Sequence, residues 1–270
     1  MTPALTVDRL PPVLLEHLLD HAALFPPAEL SMAEALAVDR AARSSPCAAL
    51  VGVFVCPSSR LAELTAAQAA HREATGDDTP LPLSVVVDGS RVPRPTDAHV
   101  DLRMVELRMD AADALRALEP TPPGIPAYVE VPIERLGRQL DALAAARAGG
   151  RPIGGKVRCG GSRAPSDAEL AAVIIGCAER GLPLKATQGL HAAVRTEEEH
   201  GFLNVLLACA AALEAGDVGG TLAERSGEVL LSAAPPFDLA QRVRRELLVS
   251  YGTCSLSEPV AELQRLGVLL

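Results

Sequence analysis

The two lysines of the chain, Lys156 and Lys185, are the residues whose positions first suggest chemistry. Each lies at the end of a short apolar, strand-like run, residues 151–157 and 182–186, and a helix-like segment separates the runs. A buried amine beside a second cation has a depressed pKa and can attack a carbonyl carbon to form an imine. The structural alternative is that both lysines only form salt bridges inside the fold. The scarcity of lysine is no evidence against this alternative, because arginine supplies the rest of the basic charge.

The elements that must position these lysines form a regular alternation of strand-like and helix-like segments. The strand candidates are apolar on both faces, as parallel strands covered by helices are, and they lie at residues 19–25, 49–56, 81–88, 100–109, 125–133, 151–157, 182–186 and 247–255. We therefore predict an α/β fold, a single (β/α)8 TIM barrel over residues 1–270. A short N-terminal helix is expected at 11–19 and a helical insertion at 217–246, before the last strand. No Gly-x-Gly-x-x-Gly follows the first strand, which argues against a dinucleotide-binding sheet.

The composition restricts the class of partner. The net charge of −9 and the 2% aromatic content disfavour binding to nucleic acid or to an anionic membrane surface. The six cysteines include no Cys-x-x-Cys pair, and no basic segment followed by an apolar one opens the chain. A reduced, cytoplasmic protein that acts on a small molecule fits these features best, and a homo-oligomer is left open.

In a (β/α)8 barrel, chemistry is carried by side chains at the carboxyl ends of the strands. Polar residues at these expected ends are Asp20, His21, Cys56, Ser58, Asp88, Glu106, Arg108, Glu130, Lys156, Arg158, Lys185, Thr187, Thr253 and Ser255. A buried lysine needs a partner, and Glu106 and Glu130 are the natural ones. His21 either contributes to the site or makes a structural hydrogen bond.

The order of several short motifs resembles the deoxyribose-phosphate aldolase type of class I aldolase. These motifs are Leu19-Asp20-His21-Ala22-Ala23-Leu24, Val53-Phe54-Val55-Cys56-Pro57, Lys156-Val157-Arg158-Cys159-Gly160, Lys185-Ala186-Thr187-Gln188-Gly189-Leu190 and Tyr251-Gly252-Thr253-Cys254-Ser255. The resemblance implies a (β/α)8 barrel in which Lys156 forms the Schiff base and Lys185 activates it. It also implies that the loops at 189–191 and 252–255 hold a phosphate through backbone N–H groups.

The chain departs from that family in four places. Arg158 replaces a small polar residue beside the proposed nucleophile, and the gap between the seventh and eighth strands is longer. The third strand lacks the family's Gly-Phe-Pro-x-Gly turn. The family's strand-four aspartate, which acts in proton transfer, corresponds here to Asp101 or Glu106, and we prefer Glu106 because it is nearer the strand end.

These observations predict a Schiff-base-forming lyase that acts on a small carbonyl compound, with a phosphorylated one among the candidates. The predicted catalytic residues are Lys156, Lys185, Glu106 and Glu130. The predicted substrate-binding residues are Asp20, His21, Arg108, Arg158, Thr187, Gly189, His191, Gly252, Thr253 and Ser255. We expect no cofactor and no bound metal.

Two alternatives remain at this point. Asp88, Glu106 and Glu130 end three consecutive strand candidates and could bind Mg²⁺, with the lysines as bases that abstract a proton beside a carboxylate. The other alternative is a barrel without catalytic activity that binds an anionic small molecule and uses the lysines as charge anchors.

Overall fold

The computed structural model describes residues 9–89, 92, 99–119 and 124–269. Eight parallel strands close into a barrel in chain order, so that β1 pairs with both β2 and β8. The strands are β1 Leu19–His21, β2 Val51–Pro57, β3 Leu81–Val87, β4 Val100–Leu107, β5 Ala127–Glu130, β6 Ile153–Arg158, β7 Leu184–Thr187 and β8 Leu248–Thr253. The predicted TIM barrel is confirmed.

Helices cover the outside of this sheet. They are α1 Met32–Arg43, α2 Leu61–Thr75, α3 Ala111–Leu118, α4 Leu136–Ala148, α5 Asp167–Glu179, α6 Phe202–Leu213, α7 Val218–Ala223, α8 Gly227–Ser232, α9 Phe237–Arg242 and α10 Ser257–Arg265. The serines before α1 and α5, Ser31 and Ser166, form capping boxes with Glu34 and Glu169. Most of the link between β3 and β4 lies outside the described residues.

The predicted helical insertion before the last strand is confirmed as α7, α8, α9 and a π-helical turn at Val243–Leu247. Asn204 of α6, fully buried, connects it to the barrel. Its side-chain oxygen accepts a hydrogen bond from Arg195 N, and its amide donates to the carbonyls of Thr221 and Glu224. Asn204 therefore has the structural role that an asparagine in an apolar helix suggests.

The N-terminal segment differs in detail from the expectation. The helix expected at 11–19 is a single 3-10 turn, Pro12–Leu14, and β1 ends at His21 instead of continuing to residue 25. Beyond β1 the chain turns, because Phe25 N donates to the carbonyl of Ala22. This turn carries Phe25 and the Pro26–Pro27 pair over the end of the barrel, where they line a cavity.

The apolar side chains divide into two clusters on opposite sides of the sheet. The large cluster lies between the strands and the helices, and includes Cys177 and Cys209. The small cluster fills the barrel interior with Val53, Val55, Val86, Met104 and Tyr128. Among the described helices, none has both the length and the apolar composition needed to cross a membrane. All six cysteines are free thiols.

Candidate active site

Lys156 and Lys185 lie side by side on β6 and β7. They are register partners across the two strands, and Glu130 of β5 pairs with Lys156 on the other side. Both lysines are almost completely buried, at 2% and 0% exposure. Since the parallel register sets neighbouring residues at one height and on one face, both amines point into the same part of the barrel.

Glu106 of β4 joins the two amines. Its Oε2 lies 3.5 Å from Lys156 Nζ, and its Oε1 lies 3.5 Å from Lys185 Nζ. The hydroxyl of Ser84, on β3, donates to Oε1 at 2.8 Å. Burial alone would raise the pKa of Glu106, but the two lysines and Ser84 outweigh it and hold this pKa below its usual value. Glu106 is therefore a carboxylate placed between two amines.

Lys185 is held by a second carboxylate, Asp20 of β1. Its ammonium group donates to Asp20 Oδ2 and, at 3.2 Å, to the hydroxyl of Ser250 on β8. The other oxygen of Asp20 accepts the backbone N–H of Val53 at 2.9 Å, which fixes the carboxylate. Burial would lower the pKa of Lys185, but Asp20 and Glu106 together raise it above its ordinary value. Lys185 is therefore a permanent cation at neutral pH.

Lys156 has the opposite balance. Burial is the largest influence on its amine and lowers its pKa, and Arg108 and then Lys185 act in the same direction. Glu106 and Glu130 oppose this effect without cancelling it. The net result is a lysine that loses its proton more readily than an ordinary one, mainly because of burial, with Lys185 as a smaller contributor.

Lys156 and Glu106 line a cavity of about 260 Å³ at the carboxyl ends of the strands. Its apolar lining residues include Ala22, Phe25, Val55 and Val86. The polar residues of the wall are Glu106, Arg108, Lys156, Arg158, Thr187, Gln188, His191 and Thr253, with Gly189 and Gly252 between them. A cavity with an apolar side and a few convergent polar groups is the usual form of a small-molecule site.

Two arginines surround Glu130 at the edge of this cavity. Arg108 Nε lies 3.7 Å from Glu130 Oε2, and Arg158 Nη1 lies 4.0 Å from Oε1. Lys156 Nζ lies 3.8 Å from the same Oε2. Arg158 is oriented by Gln188, whose Oε1 accepts from Nε at 2.9 Å and from Nη2 at 2.5 Å. The result is an unusually cationic wall in an acidic protein.

The loops after β6 and β7 approach each other at two glycines. A Cβ added to Gly160 would lie 2.6 Å from the Cα of Gly189, so neither position can hold a larger residue without moving the backbone. Gly189 also has φ +69°, in the left-handed region that favours glycine. The preceding Gln188 adopts φ +61°, which turns its side chain towards Arg158. These contacts define the cavity wall nearest β7.

Five residues that the sequence assigned to the site lie outside the cavity wall: Asp20, His21, Glu130, Lys185 and Ser255. Of these, Asp20 and Lys185 form a buried pair behind it, and Glu130 contacts Lys156 from the side. The hydroxyl of Ser255 accepts the N–H of Glu258 at 3.4 Å, at the start of α10.

His21 faces the helix layer. Its Nδ1 lies 3.3 Å from Asp39 Oδ1, on α1, and its ring contacts Phe54 edge-on. Asp39 is fully buried and also accepts from Arg43 Nε at 2.6 Å. His21 therefore makes structural contacts, which is one of the two roles that the sequence leaves open for it.

The carboxylates of the magnesium alternative are not brought together. Asp88 accepts the backbone N–H of Ser59 at 3.1 Å and the hydroxyl groups of Ser58 and Ser59, and is absent from the cavity wall. Across the described residues, no group of three His, Cys, Asp or Glu side chains has the spacing to hold a metal ion.

Sequence reasoning missed several parts of the wall. Phe25 and the two prolines after it come from a turn, where the sequence predicts the end of a strand. Gln188 has a detectable signal, because a polar residue before a glycine at a strand end favours a left-handed turn. Ser84 and Ser250 interrupt apolar strands and mark the polar layer of the barrel interior.

Comparison of the chain with models of known protein families, with curated proteins and with solved structures found no match.

Proposed function

We propose that this protein is a Schiff-base-forming lyase of the aldolase type, acting on a small carbonyl compound that carries an anionic group. The observation that carries the proposal is the amine of Lys156. It is almost completely buried, lies in the cavity wall beside Glu106, and has a lowered pKa. A purely structural lysine would be expected in a closed ion pair like that of Lys185, without access to a cavity.

In the proposed reaction the unprotonated Nζ of Lys156 attacks the substrate carbonyl carbon and forms a carbinolamine. Loss of water from the carbinolamine leaves a protonated imine, which accepts electrons. When the bond between the α- and β-carbons of this imine breaks, its electron pair forms an enamine. The hydroxyl group on the β-carbon gives its proton to a carboxylate and becomes the carbonyl group of the first product, which leaves. Protonation of the enamine carbon and addition of water then release the second product and restore Lys156.

Glu106 is the carboxylate best placed to move these protons, because it lines the cavity and lies 3.5 Å from Lys156 Nζ. Glu130 lies 3.8 Å from the same nitrogen and is the second candidate. Lys185 acts as a fixed positive charge that keeps Glu106 ionised. Backbone N–H groups near Gly189 and Gly252, both in the cavity wall, are the proposed contacts for a phosphate on the substrate.

Borohydride reduction tests this proposal, because it converts an imine into a stable secondary amine. The folded protein is incubated with acetaldehyde, glycolaldehyde, dihydroxyacetone phosphate and pyruvate in turn, reduced, and analysed by intact mass and peptide mapping. We expect a single adduct on Lys156, and the assignment is simple because the chain contains only two lysines. Lys156→Arg and Lys156→Met should both lose the adduct. The first variant keeps the positive charge at this position, and the second removes it.

The matched control is Arg163→Gln, which changes an arginine on the loop after β6 whose side chain is 91% exposed. It should form the adduct at the rate of the unchanged protein. An adduct that persists in both Lys156 variants, or no adduct with any of the four compounds, would contradict the proposal. Binding of phosphate without any adduct would instead support a non-catalytic barrel.

A further inference from the structure

Two arginines beside the proposed nucleophile have no task in the reaction described above. Arg108 and Arg158 both line the cavity, with side-chain exposures of 52% and 39%. Arg108 donates no side-chain hydrogen bond within the part of the chain that the structure describes, and Nη1 of Arg158 is left over after its two bonds to Gln188. Each side chain therefore lines the cavity and retains N–H donors that make no hydrogen bond to the described residues.

Arg108 lies near Lys156, and Arg158 contacts the other oxygen of the Glu130 carboxylate that lies between them. Arg108 Nε and Lys156 Nζ lie 3.7 Å and 3.8 Å from the same oxygen of Glu130. The nitrogens therefore cannot be farther apart than these two distances taken together. A carboxylate bonded directly to an imine carbon can reach a hydrogen-bond donor about 6 Å from the imine nitrogen, from ordinary bond lengths and a charge-assisted hydrogen bond.

Glu130 shows that a carboxylate fits this position chemically. One carboxylate group contacts Lys156, Arg108 and Arg158 at 3.7–4.0 Å, which is ion-pair distance, and its Oε2 is buried without a hydrogen-bond partner among the described residues. The arginines thus keep their hydrogen-bonding capacity for another acceptor. A planar guanidinium binds a carboxylate through two parallel N–H···O bonds.

We propose that the substrate carries a carboxylate next to the reacting carbonyl, as a 2-oxo acid does, and that Arg108 and Arg158 hold this carboxylate. The inference rests on the proposed function, since it places the carboxylate relative to an imine on Lys156. A phosphate ester adds at least two further bonds between the carbonyl carbon and the charged oxygens, so it would reach past the arginines towards the loops at Gly189 and Gly252. The two anion positions are therefore distinct.

The test compares pyruvate with pyruvamide, which has nearly the same shape and no charge. The rate of borohydride trapping on Lys156 is measured for each compound, and the ratio of the two rates is the readout. This ratio is independent of changes in the reactivity of the amine, which a substitution of Arg108 also alters. We expect the unchanged protein to prefer pyruvate at least about tenfold, the effect of a hydrogen bond between charged groups.

Arg108→Gln and Arg158→Gln should each reduce this preference by about tenfold, and Arg158→Lys should reduce it less because the charge remains. Arg163→Gln, on the exposed part of the loop, should leave the preference within about twofold, as a screened surface charge does. Far-UV circular dichroism confirms that each variant is folded before trapping.

Three results would overturn the inference. In the first, the unchanged protein traps pyruvamide as fast as pyruvate. In the second, neither arginine substitution changes the preference. In the third, the substitutions slow trapping of dihydroxyacetone phosphate and not of pyruvate, which makes the arginines phosphate ligands. Adducts with glycolaldehyde in any of these cases leave the proposed function intact, whereas no adduct with any compound overturns both.

Discussion

Replacing Asp20 by Asn tests whether Lys185 is a charge that the barrel must neutralise. Asn keeps a side-chain oxygen for the backbone N–H of Val53, which Asp20 accepts at 2.9 Å. It removes the negative charge that faces Lys185, and Ser250 then offers only a neutral hydroxyl to that amine. Both side chains are at most 1% exposed, so water cannot solvate the Lys185 ammonium group in place of the lost carboxylate.

The expected loss in the free energy of unfolding is about 3–5 kcal/mol, as for other buried ion pairs that lose one partner. Glu106 remains 3.5 Å from Lys185 and reduces the loss, which places our expectation at the lower end of that range. The pKa of Lys185 is raised by folding above its ordinary value of 10.5. The stability that this raised Lys185 pKa contributes is therefore present below pH 10.5 and is lost as the pH rises through the folded-state pKa.

Urea unfolding at pH 7.5, followed by far-UV circular dichroism because the chain has no tryptophan, measures this loss. Lys185→Met and the double variant Asp20→Asn/Lys185→Met complete a double-mutant cycle. Removing both charges should cost at least about 1 kcal/mol less than the two single losses added together. Asp113→Asn, in an exposed pair with Arg116, is the control and should change stability by less than about 1 kcal/mol.

Additive losses within about 0.5 kcal/mol would refute this reasoning, since they would mean that Asp20 and Lys185 are not energetically coupled. A loss below about 1 kcal/mol in Asp20→Asn would refute it as well, because exposed pairs show costs of that size.

Two further predictions follow from the amine and from the loops around it. The rate of borohydride trapping on Lys156 should rise with pH to a midpoint below 10.5, because folding lowers the pKa of this amine. Glu106→Gln should move the midpoint lower still, since Glu106 opposes the lowering of that pKa. A midpoint at or above 10.5, or an upward move in the variant, contradicts the assignment. Gly160→Ala should destabilise the protein by about 1–3 kcal/mol because of its contact with Gly189, whereas Gly137→Ala in α4, with open space around its Cβ position, should be neutral or stabilising in the same urea experiment.

The fold could be predicted from the sequence because its signals are local. Capping boxes at Ser31 and Ser166 begin two helices, Gly76 ends another, and each strand is a short apolar run between such signals. The end of β1 is one exception, since Ala22 to Phe25 is as apolar as a strand but turns over the barrel mouth. Apolar character alone does not separate a buried strand from a turn that packs on the barrel.

The sequence predicts only those parts of the candidate site that strand register places side by side. Neighbouring strands place Glu130, Lys156 and Lys185 at one level, and this relation follows once the strand ends are known. The side of the sheet on which a residue lies is harder to infer. Asp20 and His21 are adjacent in a strand and must face opposite sides, so the sequence alone could have excluded one of them from the interior. The structure places Asp20 inside the barrel.

Glu106 and Glu130 could not be separated by the sequence, because both lie near the carboxyl ends of the two strands that precede β6. Their environments differ: Glu106 is buried between two lysines and accepts from Ser84, while Glu130 is partly exposed among two arginines. Those neighbours come from β3, β6 and β7 and from the segment after β4. A distinction of this kind depends on distances between strands far apart in the sequence.

The two lysines show how position determines the chemistry of identical side chains. Lys185 meets Asp20 and Glu106, and these carboxylates reverse the effect of burial on its pKa. Lys156 meets Glu106 at the same 3.5 Å but its second carboxylate, Glu130, only at 3.8 Å, with Arg108 and Lys185 as competing cations, and burial prevails. A site that needs one reactive amine and one fixed cation can therefore be built from two lysines on adjacent strands. The closer carboxylate, that of Asp20, selects Lys185 as the cation and leaves Lys156 as the nucleophile of the proposed reaction.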